Sequence, residues 1–212
     1  MGKLDNKIAV ITGGVQPNSL AIAKAFHDEG AKAVILLDGA EARTEAGLEI
    51  VKCNIGNYEE VCACFAALQE KYGPVDILVN NPEMKCEKTI LETTPEEWDA
   101  VLAHNTHSLF YCCKQVMPQL KERRTGKIIN ISSPQVYGVA GNAAYAVTKA
   151  SMLGVHGTVA RETERYTTTT HTVIPAVNTT PEEVAKAVTF MASEESRIVH
   201  SQIITIPHSF AE

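Results

Sequence analysis

Tyr145 and Lys149 bound the pentapeptide Tyr145-Ala146-Val147-Thr148-Lys149, a spacing of four residues. On a helix that spacing sets both side chains on one face, so an ammonium can sit beneath a phenol and lower its pKa from about 10 toward the working range. A phenol tuned in this way is a general acid or base. Ser132 and Ser133 end the apolar run that begins at Lys127, a strand-end position that suits a capping or surface hydrogen bond. His104 and His107 could share a helix face, but they have no acidic or thiol partners nearby and read as helix residues. The six cysteines, Cys53, Cys62, Cys64, Cys86, Cys112 and Cys113, lack the paired C-x-x-C spacing of a zinc site. No metal is predicted, and the thiols read as free and mostly buried.

Positioning these groups falls to an alternation of strands and helices. Lys7 to Ile11 is a short β-branched run, Leu20 to Gly30 has helical periodicity ending in glycine, and Ala33 to Leu37 is a continuous apolar strand. Together they make a βαβ unit. The pattern continues with strand Ile50 to Cys53, helix Tyr58 to Tyr72, strand Asp76 to Asn80, helix Pro95 to Lys121, strand Lys127 to Ser132 and helix Ala144 to Glu164. Thr167 to Val173 is polar but β-branched, a candidate strand, and a last helix through Ser193 leads to Ile203 to Ile206. Thr94-Pro95-Glu96-Glu97 and Thr180-Pro181-Glu182-Glu183 each supply an N-cap, a proline at the first helical position and acidic residues in the first turn. Strands that are apolar throughout belong to a parallel sheet covered on both faces, so the predicted fold is α/β, with helices on both sides of a doubly wound sheet.

With 212 residues, 45% hydrophobic and 21% charged, the chain fits one domain spanning 1–212 with a full core. Its apolar stretches are too short to span a bilayer, and Met1 to Asn6 is polar, without the apolar segment of a signal peptide; no membrane association and a cytoplasmic location are expected. A net charge of −6 without any lysine or arginine run argues against nucleic acid as a partner.

The Tyr-Lys pair, Thr12-Gly13-Gly14, Asp76-Ile77-Leu78-Val79-Asn80-Asn81, Glu96-Glu97-Trp98-Asp99, Asn130-Ile131-Ser132-Ser133 and Pro181-Glu182-Glu183-Val184-Ala185 follow one another in a fixed order. With these segments the chain resembles the short-chain dehydrogenase/reductase family, nearly end to end, and in particular its ketoacyl-reductase-like members. The resemblance implies a Rossmann-type domain that moves a hydride between a nicotinamide and a carbonyl or secondary alcohol, on a small-molecule or carrier-bound substrate. It implies a catalytic tetrad: Tyr145 exchanges the proton with the substrate oxygen, Ser133 binds that oxygen, Lys149 lowers the Tyr145 pKa and holds the nicotinamide ribose, and Asn105 positions a water linking Lys149 to solvent. Ser132 competes for the serine role, since the family's serine-to-tyrosine gap is one residue longer than that from Ser133; Ser133 is preferred, with the deletion placed in the loop Pro134 to Asn142. The cofactor-binding residues implied are Gly13, Val15, Asn18, Asp38, Asn54, Ile55, Asn81, Tyr145, Lys149 and Asn178. Asp38, ending the second strand, can accept hydrogen bonds from the adenosine ribose hydroxyls. A phosphate there would meet a like charge, costing about 4 kcal/mol at roughly 4 Å near a surface, so NAD(H) is expected over NADP(H). Similar proteins form dimers and tetramers through the helices here spanning Thr106 to Lys121 and Ala146 to Glu164, which would make Cys112, Met152 and Val155 interface residues of a homodimer or homotetramer.

The departures from the family are as specific as the matches. The family's T-G-x-x-x-G-x-G loop is here Thr12-Gly13-Gly14-Val15-Gln16-Pro17-Asn18-Ser19, so Pro17 removes an N–H and Ser19 adds bulk where two glycines belong. Asn18 or Ser19 is a candidate helix cap and phosphate donor. Asn80-Asn81-Pro82-Glu83 replaces N-N-A-G and brings a carboxylate toward the cofactor; Pro175-Ala176 replaces Pro-Gly, and Pro207-His208-Ser209 stands where paired glycines are frequent. Thr180 runs directly into the last helix, which omits the lid normally covering the substrate and predicts an open, shallow pocket. The damaged loop and missing lid support an alternative reading, a catalytically degenerate member serving as a binding or assembly module.

Overall fold

The computed structural model describes residues 2–39, 43–45 and 48–207; His208 and Ser209 lie outside them. The strands are β1 (Ile8–Thr12), β2 (Ala33–Asp38), β3 (Arg43–Glu45), β4 (Leu48–Lys52), β5 (Ile77–Asn80), β6 (Thr125–Ile131), β7 (Thr167–Pro175) and β8 (Ile203–Ile206). The helices are α1 (Pro17–Asp28), α2 (Tyr58–Tyr72), α3 (Pro95–Leu102), α4 (Ser108–Arg123), α5 (Ala143–Thr163) and α6 (Pro181–Ala192). The sheet order is β3-β4-β2-β1-β5-β6-β7-β8, parallel except for the β3–β4 edge pair.

Alternation along the central strands sends side chains to two cores. Ala9 and Ile11 of β1 join Ile22 and Phe26 of α1 and Val184 and Val188 of α6, while Ile8 and Val10 join Val61, Leu109, Val116 and Met152 beneath α2, α4 and α5. Covering both faces makes the strands apolar throughout, the pattern expected of a doubly wound parallel sheet. Threonine-rich β7 fits because its β-branched side chains suit the pleat, and Thr168 to Thr172 are buried. Cys112 and Met152 are fully buried in the second core. That corrects the expectation that they form an interface; only Val155, partly buried, remains near the surface.

Three local differences bear on the site. The chain enters α1 at Pro17, earlier than Leu20, because proline is tolerated at the first helical position; Gln16 is the N-cap and makes no side-chain cap bond. Neither Asn18 nor Ser19 is therefore the cap. The helix expected over Pro95 to Lys121 is interrupted by a π-helical turn, Ala103–His107, which carries Asn105. β3, a polar Arg-Thr-Glu edge strand, has no apolar period to announce it. Among the described residues, no helix is long and apolar enough to cross a membrane.

β1 pairs with β2 on one side and β5 on the other, so the loops leaving β1 and β5 diverge at their carboxyl ends. In open α/β sheets that divergence opens the binding crevice. Gly13 to Gln16 and Asn81 to Met84 form its two lips.

Candidate active site

On the first lip, Gly13 takes φ 92° and a Cβ there would overlap the Asn81 carbonyl oxygen, while Gly14 takes φ 58° against the Asp38 carboxylate. Both positions require glycine. Val15 donates its N–H to Asp38 Oδ2 at 2.9 Å, so the acid ending β2 also buttresses the loop. Ser19 is buried, donating to the Thr12 carbonyl at 3.2 Å and accepting from Asn81 Nδ2 at 2.9 Å. Asn81 N–H in turn donates to Thr12 Oγ1 at 3.1 Å. The hydroxyl at a family glycine position thus ties β1 to β5.

Packed against the second lip, Tyr145 and Lys149 share a face of α5 and are 3% and 0% exposed. The Glu83 carboxylate reaches in between them. Tyr145 OH donates to Glu83 Oε1 and Oε2 at 2.9 and 3.0 Å, and Lys149 Nζ lies 3.2 Å from Glu83 Oε2. Lys149 Nζ also donates to the Pro82 carbonyl at 2.9 Å and the Ile131 carbonyl at 3.3 Å, so its three donors meet three acceptors. Burial first, then the Glu83 charge and hydrogen bond, push the Tyr145 pKa well above the usual phenol range, with Ser133 opposing. This reverses the expectation of a lowered phenol, because a carboxylate, not the ammonium, is what the hydroxyl meets. Burial lowers the Lys149 pKa, and Glu83 works against that shift.

The two serines separate by their partners. Ser132 is buried and donates to the Lys149 carbonyl at 3.0 Å, whereas Ser133 caps the 3₁₀ turn Pro134–Tyr137, accepting from Gln135 N–H at 3.2 Å beside the Tyr145 hydroxyl. Asn105 Oδ1 accepts from Met84 N–H at 2.9 Å, and its Nδ2 donates to the Met84 carbonyl at 2.8 Å and to Thr148 Oγ1 at 3.1 Å. Its amide therefore holds the Met84 backbone and the α5 residue Thr148.

Two cavities flank Glu83. One of about 350 Å³ is lined by Asn18, Asn81, Ser133 and Tyr145 and opens toward Val177 and Thr179. The other, about 190 Å³, is lined by Gly13, Asp38, Ile55, Met84 and His104, and by Cys53, which sequence reasoning passed over. Gln16 and Glu83 line both. Asn54 is exposed, its Oδ1 accepting from Gly56 N–H at 3.1 Å, and Asn178 is exposed between the lining residues Val177 and Thr179. Val15 contributes its backbone N–H, with its side chain against the first core. A dinucleotide fits the two ends, where Gly13 and Gly14 leave room for a close backbone approach and Tyr145 and Ser133 face one chamber, while Glu83 stands at their junction.

Residues 7–188 match the short chain dehydrogenase family. The chain is 28% identical to a 3-oxoacyl-[acyl-carrier-protein] reductase of Vibrio cholerae, over 96% of each protein. That alignment runs over 240 positions, more than the 212 residues here, so the relative has residues this chain lacks. A 3beta-hydroxysteroid dehydrogenase of Mediterraneibacter gnavus is 33% identical, covering 85% of this chain and 69% of that protein. The crystal structure of a short-chain dehydrogenase/reductase from Burkholderia xenovorans superposes with a TM-score of 0.89 at 26% identity, covering 97% of each chain.

Proposed function

This chain belongs to the short-chain dehydrogenase family of oxidoreductases acting on CH–OH and C=O groups, and on that premise we propose an NAD(H)-dependent enzyme working through Tyr145, Ser133, Lys149 and Asn105. The observation that carries the reading is the convergence of Tyr145 and Ser133 on one chamber, with Lys149 buried beneath. The cofactor, when bound, supplies or accepts hydride at its nicotinamide C4. Tyr145, kept protonated by burial, donates its proton to the substrate oxygen while Ser133 hydrogen-bonds the same atom. Lys149 holds a positive charge below the phenol, its ring centroid 5.2 Å away, and Asn105 fixes the Met84 backbone that borders the site.

NAD(H) is favoured over NADP(H) because the Asp38 carboxylate lines the adenosine-side cavity, and among the described residues no lysine or arginine lines it. The link from β7 to α6 is only residues 176–180, ending in the Thr180–Glu183 capping box, so the substrate chamber stays open to bulky or carrier-bound carbonyl compounds. The exposed apolar groove between α4 and α5, lined by Phe110, Met117 and Val155, is the face we assign to pairing with a second copy.

Calorimetric titration with NADH and NADPH, followed by a carbonyl screen with wild type and Tyr145→Phe, tests this reading. NADH binding stronger than NADPH binding, with turnover abolished in the variant but cofactor affinity kept, is the expected result; turnover unaffected by the substitution sinks it. The second reading, a non-catalytic binding module, is favoured by Glu83 at the junction of the two cavities, and absence of turnover in every Glu83 variant that binds NADH would select it.

A further inference from the structure

Glu83 is held from three directions: by Tyr145 OH, by Lys149 Nζ and by Lys85 Nζ at 3.6 Å. The backbone on either side of it is pinned. Lys149 takes the Pro82 carbonyl, Asn105 takes both the N–H and the carbonyl of Met84, and proline fixes its own φ. The segment therefore has no freedom to swing as a loop, and rotation about the Glu83 side-chain bonds is the motion left to it. With its side chain 28% exposed, the carboxylate has an outward path to solvent. In its inward position it divides the crevice into two chambers and takes the one Lys149 donor not engaged by backbone.

Resting on the NAD(H) reading, we propose that Glu83 is a built-in competitor of the dinucleotide: its inward rotamer bars the groove by occupying Tyr145 and Lys149, and its outward rotamer joins the chambers and frees both. A ribose hydroxyl approaching Lys149 has to displace the carboxylate, so cofactor binds only the outward fraction and its apparent affinity is reduced by that fraction. Relatives reading N-N-A-G carry no side chain at this position and have no such competitor.

The experiment titrates NADH calorimetrically into the full chain as wild type, Glu83→Gly and Glu83→Gln, each shown to be folded by circular dichroism. Stopped-flow binding and a cofactor-free alkaline titration of tyrosinate absorbance accompany it. Expected are NADH binding at least about tenfold tighter in Glu83→Gly, an intermediate gain in Glu83→Gln, which loses the charge but keeps an amide, and an association rate that saturates with NADH in wild type alone. Equal or weaker NADH binding in Glu83→Gly overturns the competitor and leaves the hydride-transfer reading standing. No NADH binding by any of the three folded proteins overturns both, and a Tyr145 titration unmoved in both variants overturns the inward contact itself.

Discussion

The Tyr145 hydroxyl donates to both oxygens of the Glu83 carboxylate, 62 residues away in sequence. A neutral phenol can make that contact and a phenolate cannot, so Glu83 and burial both favour the protonated form. Neutralising the carboxylate as Glu83→Gln is expected to shift tyrosinate formation to lower pH. The change is read from absorbance during alkaline titration, with Tyr145→Phe identifying the transition.

Ser19→Gly would recreate a family glycine, yet it is expected to weaken the protein. The hydroxyl donates to the Thr12 carbonyl and satisfies buried Asn81 Nδ2, and losing it leaves a buried amide donor short at about 1–3 kcal/mol. Glycine in place of serine in the first turn of α1 adds roughly 0.5 kcal/mol more. Urea unfolding measures the loss; a variant as stable as wild type would show that the bridge contributes nothing.

Asn105→Ala removes three hydrogen bonds, two of them to the Met84 backbone. The expected outcome is a stability loss of about 2–4 kcal/mol and faster hydrogen exchange at the Met84 amide, with α2 and β1 protected as before once the global loss is subtracted. Exchange at Met84 unchanged beyond the global effect would place its protection elsewhere.

His171 is buried in β7, with Nδ1 accepting from Gln202 N–H at 3.3 Å. Burial first, then the charge of Lys127, pushes its pKa down to about 4. An unfolded histidine titrates near 6.5, so between about pH 6.5 and 4 the unfolded chain takes up a proton that the folded chain refuses. Stability contributed by the neutral ring is present above about 6.5 and is lost as pH falls through that window. His171→Gln should flatten this acid limb, compared as denaturant midpoints near pH 7 and near pH 4.5. An identical acid loss in wild type and variant would assign the slope to other groups.

The fold was legible where one segment carries its own information. Tyr58 to Tyr72 was readable from its own pattern, and the structure adds the Asn57 side chain capping Glu60 N–H; the capping boxes at Thr94 and Thr180 marked their helix starts. Ile203 to Ile206 was equally plain. Tyr145 and Lys149 were readable because one helix sets their relation, and Pro82-Glu83 was visible as a departure. What the carboxylate does there was not legible, since its partners come from α5. Ser19 looked like bulk in a glycine loop, because one partner, Thr12, ends β1 and the other, Asn81, follows β5. The π turn at Asn105 left no compositional sign: Ala-His-Asn-Thr-His reads as ordinary helix, and only the reach to Met84 shows the purpose of the extra residue.

The short passage from β7 to α6 ends at a helix start that caps itself, with Thr180 and Glu183 bonding each other's backbone rather than any neighbouring element. Val177 and Asn178 face solvent at the mouth of the chamber. Lengthening the chain at Asn178 therefore disturbs neither core, and the closure entropy of a longer loop grows slowly with its length. This makes the passage a grafting point, where a transplanted segment from a longer relative could add substrate selectivity to a scaffold that already folds without one.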